Sequence, residues 1–322
     1  MKKSWIITVF ILVLLLVGWS SVGRPQEKYP DKPIQIVVPF GPGGSSDLFF
    51  RSLTGELSKI LKTPVNVVNR TGASGLVGTD FVANSKPDGY TLLGTSSAPV
   101  TVAPAIDPKA ERELDPLAIL AYQVVAFTTR SESGFKSLAD VIAYAKKKPG
   151  ELTCGTSGIQ TEPFFDLEIF KSAAGVDIRH VSIASSSEGI TNVLGGHIDF
   201  WFGSLSTSYS LMKAGRIRGI AITGNKRLQE FPDVPTFAEG GFPEVNVHLV
   251  ITLMGPKGLP PSVTALWAES LRLVLSHPEV LASLGKLHYV VDLRTETEPL
   301  RKYFKGELER FSAIAKRLNI RK

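Results

Sequence analysis

Ile34-Gln35-Ile36-Val37-Val38-Pro39-Phe40-Gly41-Pro42-Gly43-Gly44-Ser45-Ser46-Asp47 is the stretch that decides the fold of this chain. Its first half, residues 34–40, is a short apolar run that reads as a buried parallel strand. Its second half is a glycine-rich turn, and Asp47 supplies the acid that favours a helix start. Leu48, Leu53, Leu57, Ile60 and Leu61 then recur at helix-like intervals. A second strand is expected over 65–68, a helix around 81–83 after the turn Gly72-Ala73-Ser74-Gly75, and a third strand over 91–94. Strand, glycine turn and helix in alternation make a parallel-sheet α/β lobe.

Further along, the same cycle starts again near residue 130. A helix over 137–147, a strand over 152–154, a loop over 155–162 and a helix over 164–173 lead to a strand over 178–183. A helix around 188–194 and strands over 198–202 and 218–223 complete it. From Val250 the pattern is strand-like to Met254, then helical over 262–276, 279–287 and 298–318. This last part is expected to return to the first lobe, with crossing strands near 120–129 and 247–255 as a hinge. Lobe one then spans 28–125 and 250–322, and lobe two spans 126–249. A chain of 322 residues is long for a single α/β core, which agrees with two lobes.

Working back to the start, Lys2 and Lys3 precede an uncharged apolar run from Trp5 to Trp19, followed by the small triplet Ser21-Val22-Gly23. That is the layout of a secretory signal peptide over 1–23, with an uncleaved membrane anchor as the alternative. No cysteine follows the run, so lipid attachment there is excluded. Cys154 is the single cysteine, so an exported chain gains no internal disulfide and must rely on its core; a buried, apolar role is expected for the thiol. The formal net charge is +6, and removing Lys2 and Lys3 leaves +4. With no basic block interleaved with aromatics, this excludes a nucleic-acid footprint, and Lys146-Lys147-Lys148 reads as the solvated last turn of a helix.

Several chemistries can be weighed on the residues. A phosphate loop of the Walker type needs a lysine that 41–47 lacks, and a dinucleotide fingerprint needs glycine where Ser46 stands. What survives is a set of backbone amides at a helix start, able to hold an anion, or else a plain tight turn; spacing alone leaves both open. Gly94-Thr95-Ser96-Ser97-Ala98 resembles a nucleophile elbow, so an exported serine hydrolase using Ser96 or Ser97 is the enzymatic alternative, with His180, His197, His248, His277 and His288 downstream. None of these histidines sits in a glycine-rich loop after a strand. No metal-ligand spacing occurs, and no metal or cofactor is expected. Strand alternation sends Trp201 to one face and Phe200 and Phe202 to the other. Ser96, Ser97, Thr156, Ser157, Gly158, Ser204 and Ser206 lie at or just past strand carboxyl ends, where open α/β sheets bind ligands.

The segment Tyr29 to Asp47, together with Asn69-Arg70-Thr71-Gly72-Ala73-Ser74-Gly75, Pro87-Asp88-Gly89-Tyr90-Thr91-Leu92, Leu194-Gly195-Gly196-His197-Ile198-Asp199 and Asp233-Val234-Pro235-Thr236-Phe237-Ala238-Glu239-Gly240, resembles the tripartite tricarboxylate transporter solute receptors, or Bug-type periplasmic binding proteins. The resemblance implies a type II periplasmic-binding-protein fold, α/β and two-lobed, with mostly parallel sheets flanked by helices. It also implies an extracytoplasmic, monomeric, non-enzymatic receptor for a small carboxylate. Bridging waters would help hold the solute, which is passed to a membrane permease; a sensing role in signalling is the other use of such a receptor.

Carried over, ligand binding falls on Phe40, Pro42, Gly43, Gly44, Ser45, Ser46 and Asp47 in the first lobe. In the second it falls on the loop over 155–161, with Thr156, Ser157 and Gly158. Ser96, Ser97, Phe164, Ser185 and Ser204 complete the expected set. Where relatives often carry histidine this chain has Phe164, and where they often carry Val-Pro-Tyr it reads Val181-Ser182-Ile183. Phe164 and Ile183 therefore suggest a more apolar or aromatic acid.

Overall fold

The opening strand β1 (Ile34–Val38) is short because Pro39 has no amide to give a ladder; four of its five side chains are buried. The structure is a computed structural model that describes residues 29–320, so the expected signal peptide over 1–23 lies outside the described residues. Helix α1 (Ser45–Leu61) follows the glycine turn and buries Phe49, Phe50, Leu53, Leu57 and Leu61 on one face. Asp47 in its first turn and Lys59 in its last suit the helix dipole.

Next come β2 (Val65–Asn69), α2 (Leu76–Ala83), β3 (Thr91–Ser96), α3 (Ala98–Ile106) and β4 (Leu114–Gln123). One residue, Val124, separates β4 from β5 (Val125–Arg130). The chain continues through α4 (Leu138–Lys147), β6 (Thr153–Thr156), α5 (Glu162–Ala174), β7 (Arg179–Ser182), α6 (Ser186–Leu194), β8 (Phe200–Ser204), α7 (Leu205–Lys213) and β9 (Ile217–Ile222). It then forms β10 (Leu249–Pro256), α8 (Pro261–Ser276), α9 (Pro278–Lys286), β11 (Tyr289–Arg294) and α10 (Thr297–Arg317).

The strands build two sheets, one in the order β11-β4-β10-β3-β1-β2 and one in the order β7-β6-β8-β5-β9. These are the two lobes of the α/β fold. Where the sequence pattern predicts mostly parallel sheets, both are mixed. Among the described strands, parallel pairs occur only where a helix crosses over, at β1 with β2 and β3 and at β6 with β7 and β8. Strands β4, β5 and β10, which carry the chain between sheets, pair antiparallel. Helix α3, with Pro99 and Pro104 inside it, and strand β11 are additions that periodicity did not reveal.

Alternation on β8 holds. Phe200 and Phe202 stack around Phe127 with Phe170 and Phe237 nearby, whereas Trp201 packs with Ile183, Ile190 and Leu205 on the other face. Burial of this many aromatic and aliphatic side chains gives the second lobe its own core, at roughly 25 cal/mol for each Å² of apolar surface removed from water.

Candidate functional site

The turn between β1 and α1 is held by Asp47. Its Oδ2 accepts the Gly43 amide at 2.9 Å, and its Oδ1 accepts Arg51 Nε and Asn69 Nδ2, each at 2.9 Å. Asn69 also donates to the Phe40 carbonyl at 2.9 Å. Burial raises the pKa of Asp47, but Arg51, the Gly43 amide and Asn69 outweigh it and hold the carboxyl below its usual range. Gly43 sits at φ +71°, a left-handed conformation that suits glycine. The carboxylate is thus spent on shaping the turn.

This turn opens onto a cavity of about 40 Å³, lined by Phe40, Gly44, Ser45, Ser46, Ser96, Ser157, Thr161, Glu162, Pro163, Ser186, Gly203, Ser204 and Leu249. Both lobes contribute: Phe40 to Ser46 and Ser96 come from the first, Ser157 to Pro163 and Ser186 to Ser204 from the second. No lysine, arginine or histidine is among these lining residues.

Four helices start at this cavity without a side-chain cap. The N-caps are Gly44 for α1, Ser97 for α3, Thr161 for α5 and Ser204 for α7. Serine and threonine at such positions ordinarily accept a first-turn amide. Here their hydroxyls turn elsewhere. Ser97 Oγ donates to Glu162 Oε1 at 3.0 Å, Thr161 Oγ1 to the Gly158 carbonyl at 2.8 Å, and Ser204 Oγ to Gln123 Oε1. First-turn amides and the positive ends of several helices therefore converge on one small space, the setting in which backbone binds an anion without a cationic side chain. Helix α6 differs, because Ser185 caps it by accepting the Glu188 amide.

Gln123, the last residue of β4, ties the two lobes together behind the cavity. Its Oε1 accepts Ser45 Oγ at 2.6 Å as well as Ser204 Oγ, and its Nε2 donates to the Leu287 carbonyl at 3.2 Å. Tyr289 donates its hydroxyl to the Ser45 carbonyl at 2.6 Å, and burial pushes its pKa up to about 12. Glu162, at the first position of α5 and 1% exposed, accepts Ser96 Oγ at 3.2 Å and Ser97 Oγ at 3.0 Å across the cleft. Burial pushes its pKa up to about 7, partly offset by its own amide, the two serines and the Ala98 amide.

Of the expected residues, Phe40, Gly44, Ser45, Ser46, Ser96, Ser157 and Ser204 come together on the lining. Pro42, Gly43, Asp47, Ser97, Thr156, Gly158, Phe164 and Ser185 stand behind it or at its rim. The Pro42 carbonyl accepts Ser187 Oγ at 3.1 Å across the cleft. Thr156 Oγ1 donates to the Gly158 carbonyl and meets His180 Nε2 at 2.8 Å. Phe164 packs its ring 4.9 Å from that of His180, and Ile183 lies in the Trp201 cluster. Both are buried within the second lobe, and neither is among the residues lining the cavity.

Thr161, from the expected loop over 155–161, is also on the lining; Glu162, Pro163 and Ser186 lie in the expected opposing jaw but were not singled out, and Gly203 and Leu249 were missed. Thr161-Glu162-Pro163 carried a signal: threonine as N-cap, then an acid and a proline in the first turn, marks a helix starting at 162 instead of 164. Ser96 and Ser97 both turn to Glu162, and no histidine is among their hydrogen-bond partners in the described residues.

A family model described as tripartite tricarboxylate transporter family receptor matches residues 49–320. The chain is 30% identical over 309 residues to Protein BugT of Bordetella pertussis, covering 94% of each. A solved structure described as a periplasmic transporter superposes with TM-score 0.86 at 31% identity, covering 91% of this chain and 99% of that one. MatC from Rhodopseudomonas palustris with bound malate superposes with TM-score 0.84 at 24% identity, covering 89% and 99%, a likeness of fold.

Proposed function

The chain belongs to the tripartite tricarboxylate transporter receptor family, a family of periplasmic solute-binding proteins, and from that premise we propose that it captures a small carboxylate between its lobes and hands it to the membrane permease of a tripartite transporter. The observation that carries this reading is the cavity itself: four uncapped helix starts face it, and its lining has no cationic side chain. Such a site suits a carboxylate held by amides and hydroxyls, with waters completing the contacts. The malate bound by MatC is a solute of that class.

In this reading the chain is exported by the segment 1–23 and works as a monomer without catalysis. Lobe one is 28–125 with 250–322, and lobe two is 126–249. Ser187 with Pro42, and Glu162 with Ser96 and Ser97, span the cleft, so the arrangement is the closed one, which a ligand touching both jaws would favour. Mass spectrometry of protein purified gently from its native host should find a carboxylic acid retained in the cleft. Melting curves with a panel of organic acids should then rise by mass action for that acid. Covalent labelling of Ser96 or Ser97 by a serine-reactive phosphonate would instead support the hydrolase.

A further inference from the structure

Glu162 is the only ionisable side chain among the residues lining the cavity, and no ion pair among the described residues includes it. Burying a carboxylate without a countercharge is costly, so a group that meets it from the cavity gains what the protein itself does not supply. Its position divides the cavity's helix starts into two pairs. Glu162 heads α5 from within, and through Ser96, Ser97 and the Ala98 amide it also occupies the anion position at the start of α3. A ligand carboxylate at either of those starts would meet a like charge.

At the start of α1 the first-turn acid, Asp47, is paired with Arg51 and does not line the cavity, and the first turn of α7 has no acid. Gly44, Ser45 and Ser46 line the cavity at the first, and Gly203 and Ser204 line it beside the second. A ligand carboxylate fits there. Each oxygen of Glu162 accepts one serine hydroxyl, while a carboxylate has about four acceptor sites in all. The amides of Glu162 and Ala98 also bear on it, and all of these donors are neutral, so an ammonium would be its first countercharge.

We propose that the solute is a carboxylate that also bears an ammonium group, the carboxylate lying at the start of α1 and the ammonium donating to Glu162, so that amino acids are preferred over dicarboxylates of the same length. This rests on the reading of the chain as a carboxylate receptor and names the class of carboxylate. A hydroxyl in place of the ammonium makes the same contact more weakly, because a charge-assisted hydrogen bond is the stronger one. A second carboxylate in that place faces Glu162 directly.

The test is calorimetric titration of the full mature chain at pH 8 with matched ligands of several chain lengths, each with one terminal carboxylate and a methyl, hydroxyl, ammonium or carboxylate at the other end. Among four-carbon probes these are butyrate, 4-hydroxybutyrate, 4-aminobutyrate and succinate; α-amino acids are titrated alongside. At the length that fits, the ammonium ligand should bind about tenfold or more tighter than the methyl one, and the dicarboxylate weakest. Glu162→Gln, checked for folding by circular dichroism, should erase that order. Tightest binding by a dicarboxylate, or an order unchanged in Glu162→Gln, overturns the inference while leaving the receptor reading intact. No binding by any acid overturns both.

Discussion

Asp166 Oδ1 accepts the backbone amide of Val247 at 2.9 Å, which ties helix α5, at the mouth of the cleft, to the segment that leads into β10 and the first lobe. The carboxyl is fully buried and its Oδ2 has no hydrogen-bond partner among the described residues. Burial, with the charge of Glu162 adding to it, pushes its pKa well above the ordinary range and so favours its neutral form. Asp166→Asn preserves both the shape and the acceptor, so its unfolding free energy should stay within about 1 kcal/mol of wild type at pH 7. Asp166→Ala leaves the Val247 amide unsatisfied and should cost about 1–3 kcal/mol. Urea unfolding of the two variants checks this; equal losses in both would mean that the acceptor is unimportant.

The second prediction concerns pH. Glu162 has a folded-state pKa raised to about 7 from an ordinary 4.5. Between those values the folded chain holds a proton that the unfolded chain releases, so this group's contribution is full below pH 4.5 and is lost as pH rises through 7. Linkage limits the loss to about 3 kcal/mol. Asp166 acts in the same direction, whereas Asp47, held below its usual range, contributes above that range and is lost only as pH falls through it. Burial pushes the pKa of His180 down to about 4 and lowers those of His248 and His288, so these groups act the other way, but equally with and without Glu162. In an Asp166→Asn background, unfolding measured from pH 4.5 to 8 should therefore show the stability difference between Glu162 and Glu162→Gln falling as pH rises through 7; a difference that stays flat would remove Glu162 as the source.

How much of this was legible beforehand differs between lobes for a physical reason. The loop from Phe40 to Ser46 could be read because glycines, a strand before and a helix after occur in one continuous stretch, of which Phe40, Gly44, Ser45 and Ser46 line the cavity. Glu162 could not be matched with its partners Ser96 and Ser97, because they lie more than sixty residues away in the chain and meet it only in three dimensions. Asp47 shows the opposite limit. It stands in the right loop, yet its lone pairs go to Gly43, Arg51 and Asn69, a use visible only in three dimensions. Phe164 and Ile183 differ from the family pattern, but one packs on His180 and the other on Trp201, so a change in sequence at these positions alters a core and not a lining. The mixed sheets follow from the chain passing twice between lobes, which local periodicity does not record.

Cys154 lies on β6, fully buried, and burial raises its thiol pKa far above that of a free cysteine. A thiol in that setting is neither ionised nor accessible. Ellman's reagent should leave native protein unlabelled for hours and react with one thiol per chain in urea. The labelling rate in partial denaturant then reports the opening of the second lobe. Rapid labelling of folded protein would show that β6 is transiently exposed.

Closure itself can be blocked from the loop. A Cβ added at Gly41 would sit 2.8 Å from Ser185 Cβ and 3.3 Å from Ser185 Oγ, atoms of the opposite jaw that cannot yield without moving the start of α6. Gly41 is not among the residues at positive φ, so alanine fits its backbone and the clash is confined to the closed arrangement. Gly41→Ala should therefore keep a wild-type melting temperature without ligand and lose ligand affinity by about tenfold or more, since a receptor whose competent state is depopulated binds in proportion to what remains of it. X-ray scattering with saturating ligand should show a larger radius of gyration than wild type. Ser185→Gly, which removes the opposing atoms, should restore both affinity and closure in the double variant; failure to rescue would place the defect elsewhere in the loop.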